Sequence, residues 1–198
     1  QQKKRRWNRR RRSNEKLKDR IFIDQRPKIA GNRRRIGDAE ADFIVSGKSG
    51  KGILLVVADR KSRAPFIEKI TDVTIKNVHQ AFVRIKKRFP ELKTITTDND
   101  ILFQCFKELE KLLDVKIYFC HPYHSWEKGT VENINGHIRK DIPKSSDISR
   151  YSKKFIRSIE QKLQRRIMAV LDYKTPWEVL TESRERKKRW SAGKKIPN

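Results

Sequence analysis

From Asp38 onward the spacing of apolar residues fixes a succession of short elements. AEADFIVSG (39–47) reads as a strand, and the turn GKSGKG leads into a second, GILLVVADR (52–60). A third strand, APFIEKI (64–70), follows a short basic turn and completes an antiparallel meander. Ile75, Val78, Phe82, Ile85 and Phe89 then recur at helical spacing, closed by Pro90. KTITTD (93–98) predicts a fourth strand, and Leu102, Phe106, Leu109 and Leu113 a second helix. VKIYFC (115–120) predicts a fifth strand. After the loop HPYHSWEKG, Val131, Ile134, Ile138 and Ile142 form the stripe of a third helix. Ile148, Tyr151, Phe155, Ile159, Leu163 and Ile167 predict one long amphipathic helix. A last helix starts at Thr175-Pro176-Trp177-Glu178: a capping Thr, Pro in the first turn, and Glu three residues on.

The order β-β-β-α-β-α-β-α is that of a ribonuclease-H-like α/β fold, a five-stranded mixed sheet flanked by helices. In that topology the first strand is central and the fourth lies beside it. The chain divides into a basic arm and connector (1–35), the core (36–182) and a basic C-terminal tail (183–198). No internal repeat is visible.

Charge narrows the choice of partner. Lys and Arg number 50 against 24 acids, a formal net charge of +26. Residues 1–35 alone hold 16 Lys/Arg and three acids, about half of that excess. Such an imbalance repels itself and is best tolerated beside a polyanion, so nucleic acid is the expected partner. The arm, with Arg9, Arg10, Arg11 and Arg12 at its centre, is expected to track phosphates without reading sequence. No apolar run approaches 18 residues, so a bilayer span and a membrane partner are not expected. Cys105 and Cys120 sit in apolar patterns without a CxxC pair and read as reduced core residues of a cytoplasmic protein. The chain begins at Gln1 and its only methionine is Met168, which reads as a piece of a longer polypeptide.

Three carboxylates carry the candidate chemistry. Asp42 interrupts an apolar strand, Asp98 ends another, and Glu132 sits on a helix, with 33 residues between the last two. An acid inside an apolar strand is costly unless paired or metal-bound. Converging in such a fold, three acids make a cage for two hard divalent cations, Mg²⁺ or Mn²⁺. Lys128, Glu132, Asn135 and Arg139 share one helical face. Lys128 and Arg139 read as phosphate contacts and Asn135 as orienting the carboxylate. Glu40 alternates with Asp42 and faces the same side, so one of the two is expected to be structural. Trp126 reads equally as a stacking platform for an unpaired base or as a loop aromatic packed on the core. His121 and His124 read as hydrogen-bonding or DNA-backbone contacts rather than zinc ligands, because no partner Cys/His pair has suitable spacing.

Five stretches, in this order, resemble the catalytic domain of the insertion sequence 30 family of bacterial transposases, within the transposase and retroviral-integrase superfamily. They are IDQRPKIAGNRRRIGDAEADFIVSG, VADRKSRAPFIEKI, TITTDN, YFCHPYHSWEKGTVENINGHIRKDIPK and LDYKTPWEVL. The Asp98-Asn99 pair and the run from Trp126 through Gly129 to Arg139 are the most specific parts. The resemblance implies Asp42, Asp98 and Glu132 as catalytic triad and metal ligands, Asp42 bridging two ions, with Glu40, Asn99 and Gly129 in support. It implies transposon-end and target DNA as partners and a homo-oligomer as the working form. The family usually has Trp and Gly where this chain has Ala39 and Ala41. It has Gly and an acid where this chain has Asp100 and Leu102. Those departures leave open a basic DNA-binding protein that has lost catalysis; a metal-dependent nuclease of the same fold is the other alternative.

Overall fold

The computed structural model describes residues 20–47, 50–103, 105–122 and 124–193. Arg9–Arg12, with the rest of the arm before Arg20, and the last five residues of the expected tail lie outside the described residues. The five strands are β1 (Asp38–Val45), β2 (Ile53–Asp59), β3 (Pro65–Ile70), β4 (Thr94–Thr97) and β5 (Lys116–Phe119). They form one sheet in the order β3-β2-β1-β4-β5. β1 pairs antiparallel with β2 and parallel with β4, and β5 is parallel to β4. A helical turn, α1 (Lys28–Gly31), precedes the sheet. The other helices are α2 (Ile75–Arg88), α3 (Phe106–Leu113), α4 (Gly129–Asp141), α5 (Lys153–Gln164) and α6 (Pro176–Gly193). This is the ribonuclease-H-like arrangement expected from the element order.

The strand alternation sorts side chains onto two cores. Ala39 and Ala41 of β1, Leu55 and Val57 of β2, and Ile95 and Ile117 face the layer of α2 and α3, with Phe82, Phe89 and Phe103 fully buried there. Each such ring contributes about 1.5–3 kcal/mol by leaving water. On the opposite face Ile44, Leu54, Val56 and Ile67 pack against Val131, Ile134 and Ile138 of α4 and Ile156 and Ile159 of α5. The small Ala39 and Ala41, where the family usually has Trp and Gly, are completely buried in the first core. Gly37, in the turn just before β1, has a positive φ of 107°, and a Cβ there would lie 2.0 Å from the Glu91 carbonyl oxygen. That close approach requires glycine.

Two predicted helices are shorter than their apolar patterns. Ser152 caps α5 by accepting from the Phe155 N–H at 3.0 Å, and Asp147 caps a separate turn over Ile148–Arg150. Ile148 and Tyr151 therefore pack beneath α5 from a preceding 3₁₀ turn, and Ile167 is exposed beyond its end. Local side-chain to backbone bonds compete with helix propagation, and periodicity does not register them. Likewise Asp100 accepts from the Leu102 N–H at 2.8 Å, holding a 3₁₀ turn over Ile101–Phe103 apart from α3. The reciprocal Thr175–Glu178 capping bonds are present as expected.

Glu40 decides where α4 sits. Its side chain is fully buried on β1, and Oε2 accepts from the Thr130 N–H at 2.8 Å and the Val131 N–H at 2.9 Å. These are free donors at a helix N-terminus, and a carboxylate there is favoured by both hydrogen bonding and the helix dipole. Of Asp38, Glu40 and Asp42, which alternate on this face of β1, Glu40 is thus the one that anchors α4. Replacing it by Ala should destabilise the fold by on the order of 2–4 kcal/mol, since two buried N–H groups lose their acceptor. Because one oxygen accepts both bonds, Glu40→Gln should lose less than half as much in urea denaturation. Equal losses for the two variants would contradict this role.

Candidate functional site

The pairing of β1 with β4 brings the first two acids together. Glu40 lies opposite Thr96, so two residues further along the same parallel register Asp98 follows opposite Asp42. Both side chains leave the sheet on the α4 face, at the carboxyl end of β4, where ligand sites of such sheets form. Two carboxylates so close repel each other, and a cation answers them. Lys128 Nζ donates to Asp42 Oδ1 at 3.0 Å and to Asp98 Oδ2 at 2.9 Å. Its own side chain is only 5% exposed, whereas Asp98 is 46% and Asp42 22% exposed. Burial alone would lower the Lys128 pKa; the charges of Asp42 and Asp98 outweigh it and hold the ammonium above its ordinary value.

The sequence reading gives Lys128 to a phosphate, yet here its ammonium is engaged by the acid pair. The shared face of α4 nevertheless turns as expected. Asn135 Nδ2 donates to Asp42 Oδ2 at 2.8 Å, so the carboxylate it orients is that of Asp42. Arg139 donates to the carbonyl oxygen of Val45 at 2.9 Å, at the end of β1. Contacts from 128, 135 and 139 to β1 leave Glu132 on the face between them. Glu132 is exposed and, among the described residues, makes no hydrogen bond or ion pair. Asp42 and Asp98 meet at the Lys128 ammonium, and Glu132 is exposed on the helix that carries Asn135 and Arg139. The Lys128 ammonium stands there where carboxylate oxygens would hold a hard cation.

Supporting residues fall into place around Asp98. Asn99 donates to the Cys120 carbonyl at 3.0 Å and accepts from Arg20 at 2.6 Å, tying the loop after β4 to β5 and to the connector. Burial lowers the Arg20 pKa, opposed by the charges of Asp98 and Asp100. Asp100, the extra acid in this loop, is turned onto the Leu102 N–H and acts as a cap. Gly129 has helical angles and open space at its Cβ position, so neither strain nor crowding requires glycine there. Trp126 is 69% exposed and stacks on His124 at 4.5 Å, which settles its packing: it lies on the loop surface, not in the core.

One grouping was not read from the sequence. His121, His124 and Glu127 converge, with Glu127 Oε1 3.0 Å from His121 Nδ1 and 3.4 Å from His124 Nδ1. The spacing H-x₂-H-x₂-E was there to be seen; a search for Cys/His pairs alone passes over it.

No protein-family model matches the chain. Among curated proteins it is 41% identical over 158 residues to the transposase for insertion sequence element IS4351 of Bacteroides fragilis, covering 79% of this chain and 48% of that protein. It is 34% identical over 160 residues to the InsI transposase for IS30A of Escherichia coli strain K12, covering 80% and 41% respectively. The chain therefore spans somewhat less than half the length of these relatives. Among solved structures, the catalytic core domain of BIV integrase aligns with a TM-score of 0.57 at 17% identity, over 75% of this chain and 96% of that one. The HTLV-2 integrase catalytic core domain in complex with magnesium, in a dimeric form, aligns at 0.53 and 23% identity, over 70% and 92%. These two likenesses establish an integrase-core, ribonuclease-H-like fold. Over about four-fifths of its length the chain is homologous to transposases of insertion sequence elements, those of IS4351 and IS30A among them.

Proposed function

We propose that this chain carries the strand-cleaving and strand-joining centre of a DNA transposase, with Asp42, Asp98 and Glu132 as its acidic triad. The observation that carries the reading is the meeting of Asp42 and Asp98 on one cationic atom, beside the helix face that presents Glu132. An all-carboxylate donor set suits Mg²⁺ or Mn²⁺, and the magnesium-bound HTLV-2 core supports that choice. Held by these three acids, such ions would lower the pKa of an attacking water or hydroxyl and neutralise charge on the leaving oxygen.

The residues' own tasks follow from their placement. Asn135 fixes the Asp42 carboxylate from one side, and Asn99 braces the loop behind Asp98. Glu132, exposed and unengaged, completes the donor set from the helix. Lys128 neutralises the acid pair; released from it, the ammonium becomes a phosphate contact at the same spot. In the first step water attacks phosphorus at the element end and the P–O3′ bond breaks, leaving a free 3′-hydroxyl. That hydroxyl then attacks a target phosphate, losing its proton as the target's own 3′-oxygen leaves and takes one up. No side chain is consumed. Trp126, exposed on the adjoining loop, is positioned to stack on a base, and Arg139 to meet a phosphate beyond β1. The working form is a homo-oligomer on transposon-end and target DNA in the bacterial cytoplasm, at the nucleoid. Residues 36–182 hold the residues assigned to the chemistry and 1–35 form the basic arm and connector, while the basic C-terminal extension expected from 183 begins within α6, where Arg184 is docked on Glu91.

Incubating the protein with labelled element-end DNA, target DNA and Mn²⁺ tests the reading. Joined products are expected; cleavage without joining would make it a nuclease, and shifted but intact DNA a binding protein. Asp98→Asn should lower both steps by about a thousandfold, the loss of roughly 4 kcal/mol of transition-state stabilisation, while circular dichroism and DNA affinity stay near wild type. Unchanged metal-dependent activity in that variant would refute the triad.

DNA affinity itself should depend steeply on salt. If about eight terminal Lys/Arg meet phosphates, log Kd should change with log salt at a slope near 7, or roughly three to five powers of ten between 50 and 200 mM. A filter-binding titration showing nearly constant affinity would contradict backbone tracking by the basic extensions.

A further inference from the structure

We infer that His121, His124 and Glu127 form a transition-metal site, best suited to Zn²⁺ and separate from the acid triad. The three ligand atoms all lie within 4.8 Å of one another. Glu127 Oε1 is 3.0 Å from His121 Nδ1 and 3.4 Å from His124 Nδ1. Tetrahedral zinc with bonds of about 2.0–2.1 Å sets its ligand atoms about 3.3 Å apart, so two of the three edges are already at the right length. Two imidazoles and one carboxylate suit zinc rather than Mg²⁺ or Mn²⁺, which favour oxygen donors. A three-ligand set leaves the fourth position to water.

The surroundings are those of a ligand-holding cluster. His121 Nε2 lies 2.9 Å from Asp24 Oδ2, on the connector. A ligating histidine commonly donates its second ring N–H to a carboxylate, which fixes the tautomer and makes the other nitrogen a better donor. Here that bond would free Nδ1 for the metal. Glu127 is restrained as well, because its Oε2 accepts from the His121 backbone N–H at 2.9 Å. The rings are held by neighbours: Phe22 stacks on His121 at 5.3 Å with planes 9° apart, and Trp126 on His124 at 4.5 Å. An ion here would staple the β5–α4 loop, one residue before Lys128, and through Asp24 tie it to the connector. Its effect is to stiffen the approach to the acids, not to join the reaction, so the site stands or falls apart from the transposase reading.

Titrating Zn²⁺ into the full chain carrying Asp98→Asn, which weakens the acid site, tests the assignment by calorimetry. One equivalent should bind with a Kd of about 1 µM or below, and His124→Ala added to that chain should weaken it at least about a hundredfold. Asp24→Asn should weaken it by about 10–100-fold, the usual effect of losing such a carboxylate. X-ray absorption on the zinc-loaded Asp98→Asn chain guards against a misfolded histidine variant, and should show two imidazoles in the metal shell. An all-oxygen shell, no binding at 10 µM Zn²⁺, or equal affinity with and without His124 would each overturn the site.

Discussion

A buried carboxylate fixes where α4 begins over β1, while the stripe of Val131, Ile134 and Ile138 packs the helix down. Glu40 places one oxygen against two free N–H groups at the start of the helix. Lys128 lies just before the helix and Asn135 within it, and both reach Asp42 from that docked position. The interaction is one-sided in its consequences. Kept, it satisfies two donors and gains from the helix dipole; removed, it leaves them buried and empty. Glu40's other oxygen has no hydrogen bond but lies 3.6 Å from Arg60 Nε, so the charge has a cationic neighbour inside the core.

The same strand then carries the opposite kind of acid two residues on. Asp42 is aimed at a solvent-open spot and shares a cation with Asp98, which sits at the same level of the adjacent parallel strand. Two carboxylates about as close as one ammonium can bridge would repel by roughly 4 kcal/mol at an effective dielectric of 20. Lys128 removes that repulsion without filling the solvent side of Asp98. The internal ammonium thus holds the acid pair together within the fold. Two acids on one strand are distinguished by what faces them, backbone N–H groups for Glu40 and a side-chain cation for Asp42.

Much of this was legible in the sequence, for physical reasons. Strands of period two and helices of period 3.6 declare themselves where one face is buried, as in Ile75–Arg88, Lys116–Phe119 and Gly129–Asp141. The acids stood out because a charge within an apolar strand must be answered by something. Polar side chains that act on the backbone were less visible. Ser152 and Asp147 divide what the stripe from Ile148 to Ile167 presents as one helix, and Asp100 sets a 3₁₀ turn apart from the helix expected from Leu102. The phosphate expected for Lys128 is replaced here by the acid pair, because helical spacing places Lys128 on the right face but says nothing of whether it points to solvent or to the strand below. The spacing of His121, His124 and Glu127 was visible, but the contact of His121 with Asp24, about a hundred residues away in the chain, arises only through the fold.

The connector adds a constraint that composition alone does not supply. Phe22 bridges to Phe119 beside β5, and the Phe119 N–H donates to the Ile21 carbonyl at 2.8 Å, so the chain runs along the outer edge of the sheet. Arg20 then ends against Asn99, one residue from Asp98, with its guanidinium 4.5 Å from the centre of the Phe119 ring. Arg26 likewise donates to Thr96 Oγ1 at 3.0 Å, on the strand that leads to Asp98. Part of the basic excess that composition shows is therefore not free for a partner to recruit: the fold has already fixed it at the strand end beside the acid pair.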